Sequence, residues 1–236
     1  YRGNRLTAEE IVGLGQAHVV IATGARWARM LYSTLEIPLG ELVGPGVYTP
    51  DDIAAGAVLT DPVVIFDFDN YYMGGALAEH LVARGNRVAY VTPAGHASAW
   101  TILSNEQPQV HRALAEARVE LHTLVRVEGF TPGAVRICNQ FTGAARELPC
   151  NSLVIVGTRF ANDALYHALS AHREAFAAAG ICSVTRIGDA LAPGAIVHAV
   201  YSGHRYAREL DGDATAHVMR RDLGGAAERI AERIEE

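Results

Sequence analysis

Apolar positions along this chain gather in short unbroken runs, and stretches with helical spacing lie between them. The clearest run is Val63-Val64-Ile65-Phe66, which predicts a strand buried on both faces. It passes through Asp67-Phe68-Asp69-Asn70-Tyr71-Tyr72-Met73 into Gly74-Gly75-Ala76, the start of a helix predicted over 74–84 and stopped by Gly85. A second run over 87–92 predicts the next strand and completes a short βαβ unit. Upstream, Thr7 is placed to cap a short helix, and Glu10 completes a capping box. His18–Ala22 reads as a buried strand closed by Thr23-Gly24. Residues 28–50, rich in Gly and Pro, read as irregular, and Thr49-Pro50-Asp51-Asp52 opens another short helix with Pro in its first turn.

Downstream, Val110, Leu114 and Ala117 recur at helical spacing and predict a helix over 106–117. Strand-like pieces follow at 119–123, 124–130 and 135–139, with Thr142-Gly143 marking a hairpin to 146–149 and a closing strand at 153–156. A helix around 162–178 and a strand over 183–187 come next. A helix over 196–209 then carries Val197, Val200, His204 and Ala207 along one face. Residues 222–236 read as a short amphipathic helix with Ile230 and Ile234 four apart. This alternation implies an α/β fold, an open sheet with an antiparallel hairpin layer.

Composition narrows the function classes. The 236 residues are 50% hydrophobic, enough for one large or two small cores. The formal charge is −6 and arginines are spread along the chain, which argues against nucleic-acid or anionic-membrane partners. Cys138, Cys150 and Cys182 are far apart and form no C-x-x-C, so a disulfide framework, zinc site or iron–sulfur site within this chain is not expected. They read as ordinary thiols in a reducing, cytoplasmic setting. No apolar run reaches the length of a bilayer span, and no signal peptide is read. The first residue is Tyr, and residues 1–5 read as the middle of a longer polypeptide. The ten histidines form no H-x-H or H-x-x-x-H pair, and His204 reads as a structural hydrogen-bonding group.

The turn after Phe66 carries the most chemistry. A working dinucleotide loop needs glycines so that the backbone turns tightly and approaches a pyrophosphate. Asp67 and Asp69 stand there instead, and two carboxylates repel a diphosphate. The following strand ends in Thr92-Pro93 rather than in an acidic residue for a ribose hydroxyl. The unit keeps the architecture of an NAD domain without the chemistry for NAD. Gly74 and Gly75 are then expected to serve close helix–strand packing, Asp67 and Asp69 to form a solvated or helix-capping turn, and Tyr71 and Tyr72 to fill the vacated pocket.

Three motifs fall in one order: Val20-Ile21-Ala22-Thr23-Gly24-Ala25-Arg26-Trp27, the altered nucleotide unit at 63–92, and Ile187-Gly188-Asp189-Ala190 followed by Pro193. This order resembles the flavoproteins with two dinucleotide-binding, Rossmann-like domains, an FAD-type domain interrupted by an NAD(P)-type one. Together with Leu6-Thr7-Ala8-Glu9-Glu10, Asp69-Asn70-Tyr71-Tyr72-Met73, Leu77-Ala78-Glu79 and Ser202-Gly203-His204-Arg205, it resembles the C-terminal portion of the trimethylamine dehydrogenase-like iron–sulfur flavoproteins, the dimethylamine and histamine dehydrogenases among them. The resemblance covers about residues 6–211.

The resemblance implies a parent enzyme that oxidises an amine at FMN on an N-terminal barrel. It passes electrons through a 4Fe–4S centre to an electron-transferring flavoprotein, and it pairs as a homodimer. The FMN and the cluster would belong to sequence absent here, so this chain would hold no catalytic residue. It implies that residues 1–60 and 158–236 are parts of an FAD/ADP-type domain whose first βαβ unit is missing, and that 61–157 is the inserted NAD-type domain. It makes Ala22, Thr23, Gly24, Gly188, Asp189 and Ala190 the cofactor-binding residues, for structural ADP or for FAD. Read without the resemblance, Gly24 is equally a glycine-bearing strand end, and Asp189 equally a helix cap. Two other readings stand beside this one: part of an NAD(P)H-dependent flavin oxidoreductase, and a separate module that binds ADP or a partner.

Overall fold

The computed structural model describes residues 3–33, 37–210 and 212. The helix expected over 222–236 lies outside the described residues. The chain forms two compact units, one from Tyr1–Thr23 with Asp163–Glu236 and one from Gly24–Asn162.

In chain order the first unit begins with α1 (Ala8–Gly13) and β1 (His18–Ile21). The second contains β2 (Ala25–Trp27), β3 (Met30–Tyr32), β4 (Pro38–Glu41), β5 (Val47–Tyr48), α2 (Pro50–Ala54), β6 (Val63–Asp67), α3 (Tyr72–Ala83), β7 (Val88–Val91), a 3-10 turn (Ala99–Ser104), α4 (Gln107–Glu116), β8 (Glu120–His122), β9 (Val125–Thr131), β10 (Gly133–Asn139), β11 (Ala145–Cys150), β12 (Ser152–Val156) and β13 (Arg159–Ala161). The chain then returns to the first unit with α5 (Ala164–Ser170), α6 (Arg173–Ala179), β14 (Ser183–Arg186), a 3-10 turn (Gly188–Ala190) and α7 (Ile196–Glu209).

The second unit is built on a parallel sheet in the order β5-β12-β6-β7-β8. Successive residues of β6 point to opposite faces. Val63 and Ile65 join Leu77, Leu81, Leu114 and Val154 under the helices, while Val64 and Phe66 join Val127, Val135, Ile137 and Ile155 under the antiparallel β11-β10-β9 sheet. The unbroken apolar run is thus explained, because a strand covered on both faces has no polar side. β2 and β13 pair antiparallel, and the pairing is laced by Arg159 over the Trp27 ring and Arg26 over the Phe160 ring.

In the first unit β1 pairs parallel with β14, His18 opposite Ser183 through Ile21 opposite Arg186. Ile21, Ala8, Ile11, Leu169 and Ala190 form its apolar cluster. The expected capping box of α1 is present: Thr7 N–H donates to Glu10 Oε2 at 2.7 Å and Glu10 N–H to Thr7 Oγ1 at 3.3 Å. Thr7→Ala is expected to cost about 1 kcal/mol in a urea unfolding titration, the usual worth of such a cap.

Three expectations are corrected, and the face expected on α7 proves to be exposed. Residues 28–50 are not irregular, since they hold β3, β4 and β5. These strands have two to four residues and β4 is exposed throughout, so no alternation marks them. β1 is not a buried strand, because only Ile21 is enclosed, and β14 is its one partner among the described residues. The single helix expected over 162–178 is two, α5 and α6, broken at Ala171–His172 where neither Gly nor Pro announces it. The outer face of α7 is its apolar one. Val197 and Val200 are exposed, whereas Ser202 on the other side turns toward the Gly188 turn.

Candidate functional site

Two strand ends in the first unit bring most of the expected site residues together. β1 and β14 run parallel, and Ile187 N–H continues the ladder by donating to Ile21 O at 3.0 Å. The chain therefore leaves both strands side by side, Ala22 and Thr23 after one, Gly188 and Asp189 after the other. The carboxyl ends of parallel strands are where open α/β sheets hold their ligands. Ala22 and Thr23 are exposed.

Gly188 has φ +56°, in the left-handed region that favours glycine, and its N–H donates to Ser202 Oγ on α7 at 3.0 Å. Asp189 is half-buried, and its Oδ1 accepts from Gly194 N–H at 3.2 Å, which closes the 188–194 loop. It does not cap α7, whose N-cap is Ala195. Ala190 is fully buried in the apolar cluster and anchors the turn from behind. Gly24 opens the second unit. Its φ of +74° calls for glycine although a Cβ would meet open space, and its carbonyl accepts from Asn162 N–H at 2.9 Å. His204 is exposed and its ring makes no hydrogen bond among the described residues, contrary to its expected structural role.

The corresponding place in the second unit, the end of β6, is filled. Asp67 is completely buried, not solvated. It accepts from the Tyr90 hydroxyl and from Asn70 N–H at 3.0 Å. Burial, opposed by these hydrogen bonds, pushes its carboxyl up to about 7. Tyr90 is also completely buried, and burial followed by the Asp67 charge holds its phenol well above the usual range. Its oxygen accepts from Ser98 N–H at 3.1 Å, and Trp100 N–H donates to Asn70 O at 2.8 Å, so the 98–100 segment is tied over the end of the sheet. Thr92 is buried and donates to Asn70 Oδ1 at 3.0 Å, and is thereby turned inward.

Gly74 and Gly75 serve packing, as expected. A Cβ on Gly74 would lie 2.7 Å from Asp67 Cγ and 2.8 Å from the Tyr90 hydroxyl, and one on Gly75 would lie 2.9 Å from Val110 Cγ1. The expected filling by Tyr71 and Tyr72 is corrected. They meet edge to face at 4.9 Å, with Tyr72 exposed, and the buried plug is Tyr90 with Asp67 and Ser98. Sequence reasoning passes over Tyr90 because Tyr in a strand reads as an ordinary β-former. The one available signal is a Gly at the helix start, which leaves room for a large side chain on the adjacent strand.

Among the described residues no group of three or more His, Cys, Asp or Glu side chains could hold a metal ion. No helix there is long and apolar enough to cross a membrane.

Comparison with known proteins places these features. The family described as the OYE-like second alpha/beta domain matches residues 48–147. Dimethylamine dehydrogenase of Hyphomicrobium sp. (strain x) is 30% identical over 229 residues, covering 87% of this chain and 31% of that protein. The structure of histamine dehydrogenase from Rhizobium sp. 4-9 superposes with a TM-score of 0.84 at 36% identity, over 92% of this chain and 32% of that one. That of 6-hydroxypseudooxynicotine amine oxidase from Pseudomonas geniculata N1 gives 0.78 at 32% identity, over 87% and 30%. This chain spans about a third of the length of each.

Proposed function

We propose, from this chain's homology to dimethylamine dehydrogenase and histamine dehydrogenase, that it is the C-terminal nucleotide-domain portion of an amine-oxidising iron–sulfur flavoprotein. In this reading the parent oxidises an amine at FMN. The 4Fe–4S centre and the electron-transferring flavoprotein that takes its electrons are engaged by sequence outside this chain. Residues 1–60 and 158–236 act as an FAD/ADP-type domain, lacking its first βαβ unit, around the NAD-type insertion at 61–157. Homodimer formation belongs to the same reading.

The observation that carries the proposal is the parallel β1–β14 pair, which delivers Ala22, Thr23, Gly188 and Asp189 to one edge of the first unit. Ala22, Thr23 and Gly24 form the adenine-nucleotide wall, and Gly188, Asp189 and Ala190 the facing turn. Gly188 lets the backbone pass close to a ligand, and the half-buried Asp189 carboxylate can accept from a ribose hydroxyl. The ligand, ADP or FAD, has a structural role here. Its pyrophosphate would be held by the glycine loop of the missing unit, since neither wall supplies a basic side chain.

The test is the native gene product itself. Its intact mass is expected far above 25.3 kDa, and acid release is expected to yield one adenine nucleotide per chain. Asp189→Ala in that protein is expected to lower nucleotide content at least tenfold, as for loss of a hydrogen bond to a charged group. A native mass near 25.3 kDa would defeat the dehydrogenase reading and leave a separate nucleotide- or partner-binding module.

A further inference from the structure

A cleft of about 550 Å³ lies at the opposite end of the second unit's sheet, under the starts of β6, β7 and β8. Its volume falls in the range of small-molecule sites. Val82, Val88 and Ala117 give it an apolar floor, and Arg118, Glu120 and His122 face it. Nothing in the nucleotide reading uses it.

His122 is 8% exposed. Arg146 Nη2 lies 2.9 Å from its Nδ1, and guanidinium only donates, so Nδ1 accepts and the ring proton sits on Nε2. Burial, with Arg146 beside the ring, opposes a second proton, and the Glu120 carboxylate works the other way. Nε2 makes no hydrogen bond of good geometry. The Glu120 carboxylate stands 3.1 Å from it and pairs with it electrostatically. Glu120 is 70% exposed, so its carboxylate is a loose cover over a buried donor.

Arg118 supplies a second, independent pointer. It sits one residue past the C-cap of α4 with φ +54°. Its N–H donates to Ala115 O, and Val119 N–H to Leu114 O, both at 3.0 Å. This is the left-handed helix terminator for which glycine is the default residue. An arginine there bears backbone strain, yet its guanidinium has no ion pair or hydrogen bond among the described residues. Arg87, across the cleft, lies 3.9 Å from Asp61. The cleft thus offers an unengaged cation and a buried N–H donor above apolar walls.

We propose that this cleft binds a small organic carboxylate with an aliphatic body. The Arg118 fork and His122 Nε2–H would hold the carboxylate in the place now covered by Glu120, and Val82, Val88 and Ala117 would take the aliphatic chain. The site is separate from the nucleotide wall, so either proposal can fail alone.

Hexanoate and hexanol, matched in chain length, are the probes, read by amide chemical shifts of the full chain. Hexanoate is expected to shift residues 118–122 and 88–89, and hexanol is not. Arg118→Gly installs the residue that this backbone prefers. It is expected to raise Tm while weakening hexanoate at least tenfold, which separates loss of the cation from loss of fold. Glu120→Gln, by removing the competing charge, is expected to tighten hexanoate several-fold. No shift with hexanoate, equal shifts with hexanol, or undiminished binding in Arg118→Gly would each overturn the site.

Discussion

Gly74→Ala is expected to lower the unfolding free energy of the second unit by about 3 kcal/mol, the upper part of the range for overpacking a filled core. By helix propensity alone the exchange should stabilise, since Ala exceeds Gly by about 1 kcal/mol in a helix interior. Sterics decide against it. The added carbon would stand 2.7 Å from Asp67 Cγ, 2.9 Å from Asp67 Cβ and 2.8 Å from the Tyr90 hydroxyl, distances that side chains do not adopt. None of the three atoms can retreat freely, because both residues are completely buried and bonded to each other. Urea unfolding followed by far-UV circular dichroism reads the effect. Gly203→Ala is the control, since Gly203 lies within α7 and its Cβ would meet nothing within 4 Å. It is expected to be neutral or to stabilise by up to about 1 kcal/mol. If both substitutions behave alike, the packing account of Gly74 is wrong.

The second large effect is a stability that falls as pH rises through neutrality. The Asp67 carboxyl titrates near 3.8 when exposed and at about 7 in the folded chain, chiefly through burial. The folded state therefore keeps a proton that the unfolded state releases. That contribution is fully present below pH 3.8, declines as the unfolded chain ionises, and is lost once pH passes about 7. Each tenfold difference in proton affinity is worth about 1.4 kcal/mol, so the whole change is on the order of 4 kcal/mol. Asp67→Asn removes the titrating group while keeping a carbonyl oxygen for the Tyr90 hydroxyl. In urea titrations between about pH 5 and 8.5, a window that brackets the folded-state titration, the parent is expected to lose stability relative to the variant as pH rises. Parallel curves for the two proteins would show that Asp67 is not the group responsible.

The sheet of the second unit was legible in the sequence because its strands are continuous apolar runs. Val63–Phe66 reads as a strand enclosed on both faces and Leu153–Val156 as the strand that closes the module, and β6 and β12 are adjacent and parallel. The caps at Thr7 and Thr49 were legible for a different reason: a capping residue and its acidic partner lie three apart, so the signal is local. The short strands β2 to β5 carry neither signal. Their pairing is set by distant partners, as when Trp27 meets Arg159 or Val47 meets Leu153. The turn at Asp67 was half legible. Its composition spoke against a phosphate loop, but whether its carboxylate met water or protein depended on Tyr90, two elements later. His122 and Arg118 were not legible at all, because what marks them is an absent partner and a backbone angle.

The register of β1 against β14 also bears on the order of assembly. His18 and Ser183 are 165 residues apart, so this small sheet joins widely separated parts of the chain. Closing so long a loop in an unfolded chain costs roughly 4 kcal/mol in entropy. Once the second unit has formed, that cost is largely met, because Gly24 and Asn162 are then hydrogen-bonded to each other at 2.9 Å. The two ends of the intervening chain leave from one point, and β1 needs to search only a short tether for β14. On the ribosome, β1 is made before β14 and waits for its mate. Of the two units, the interrupted one is then the later to fold, although β1 is made before the unit inserted between its strands.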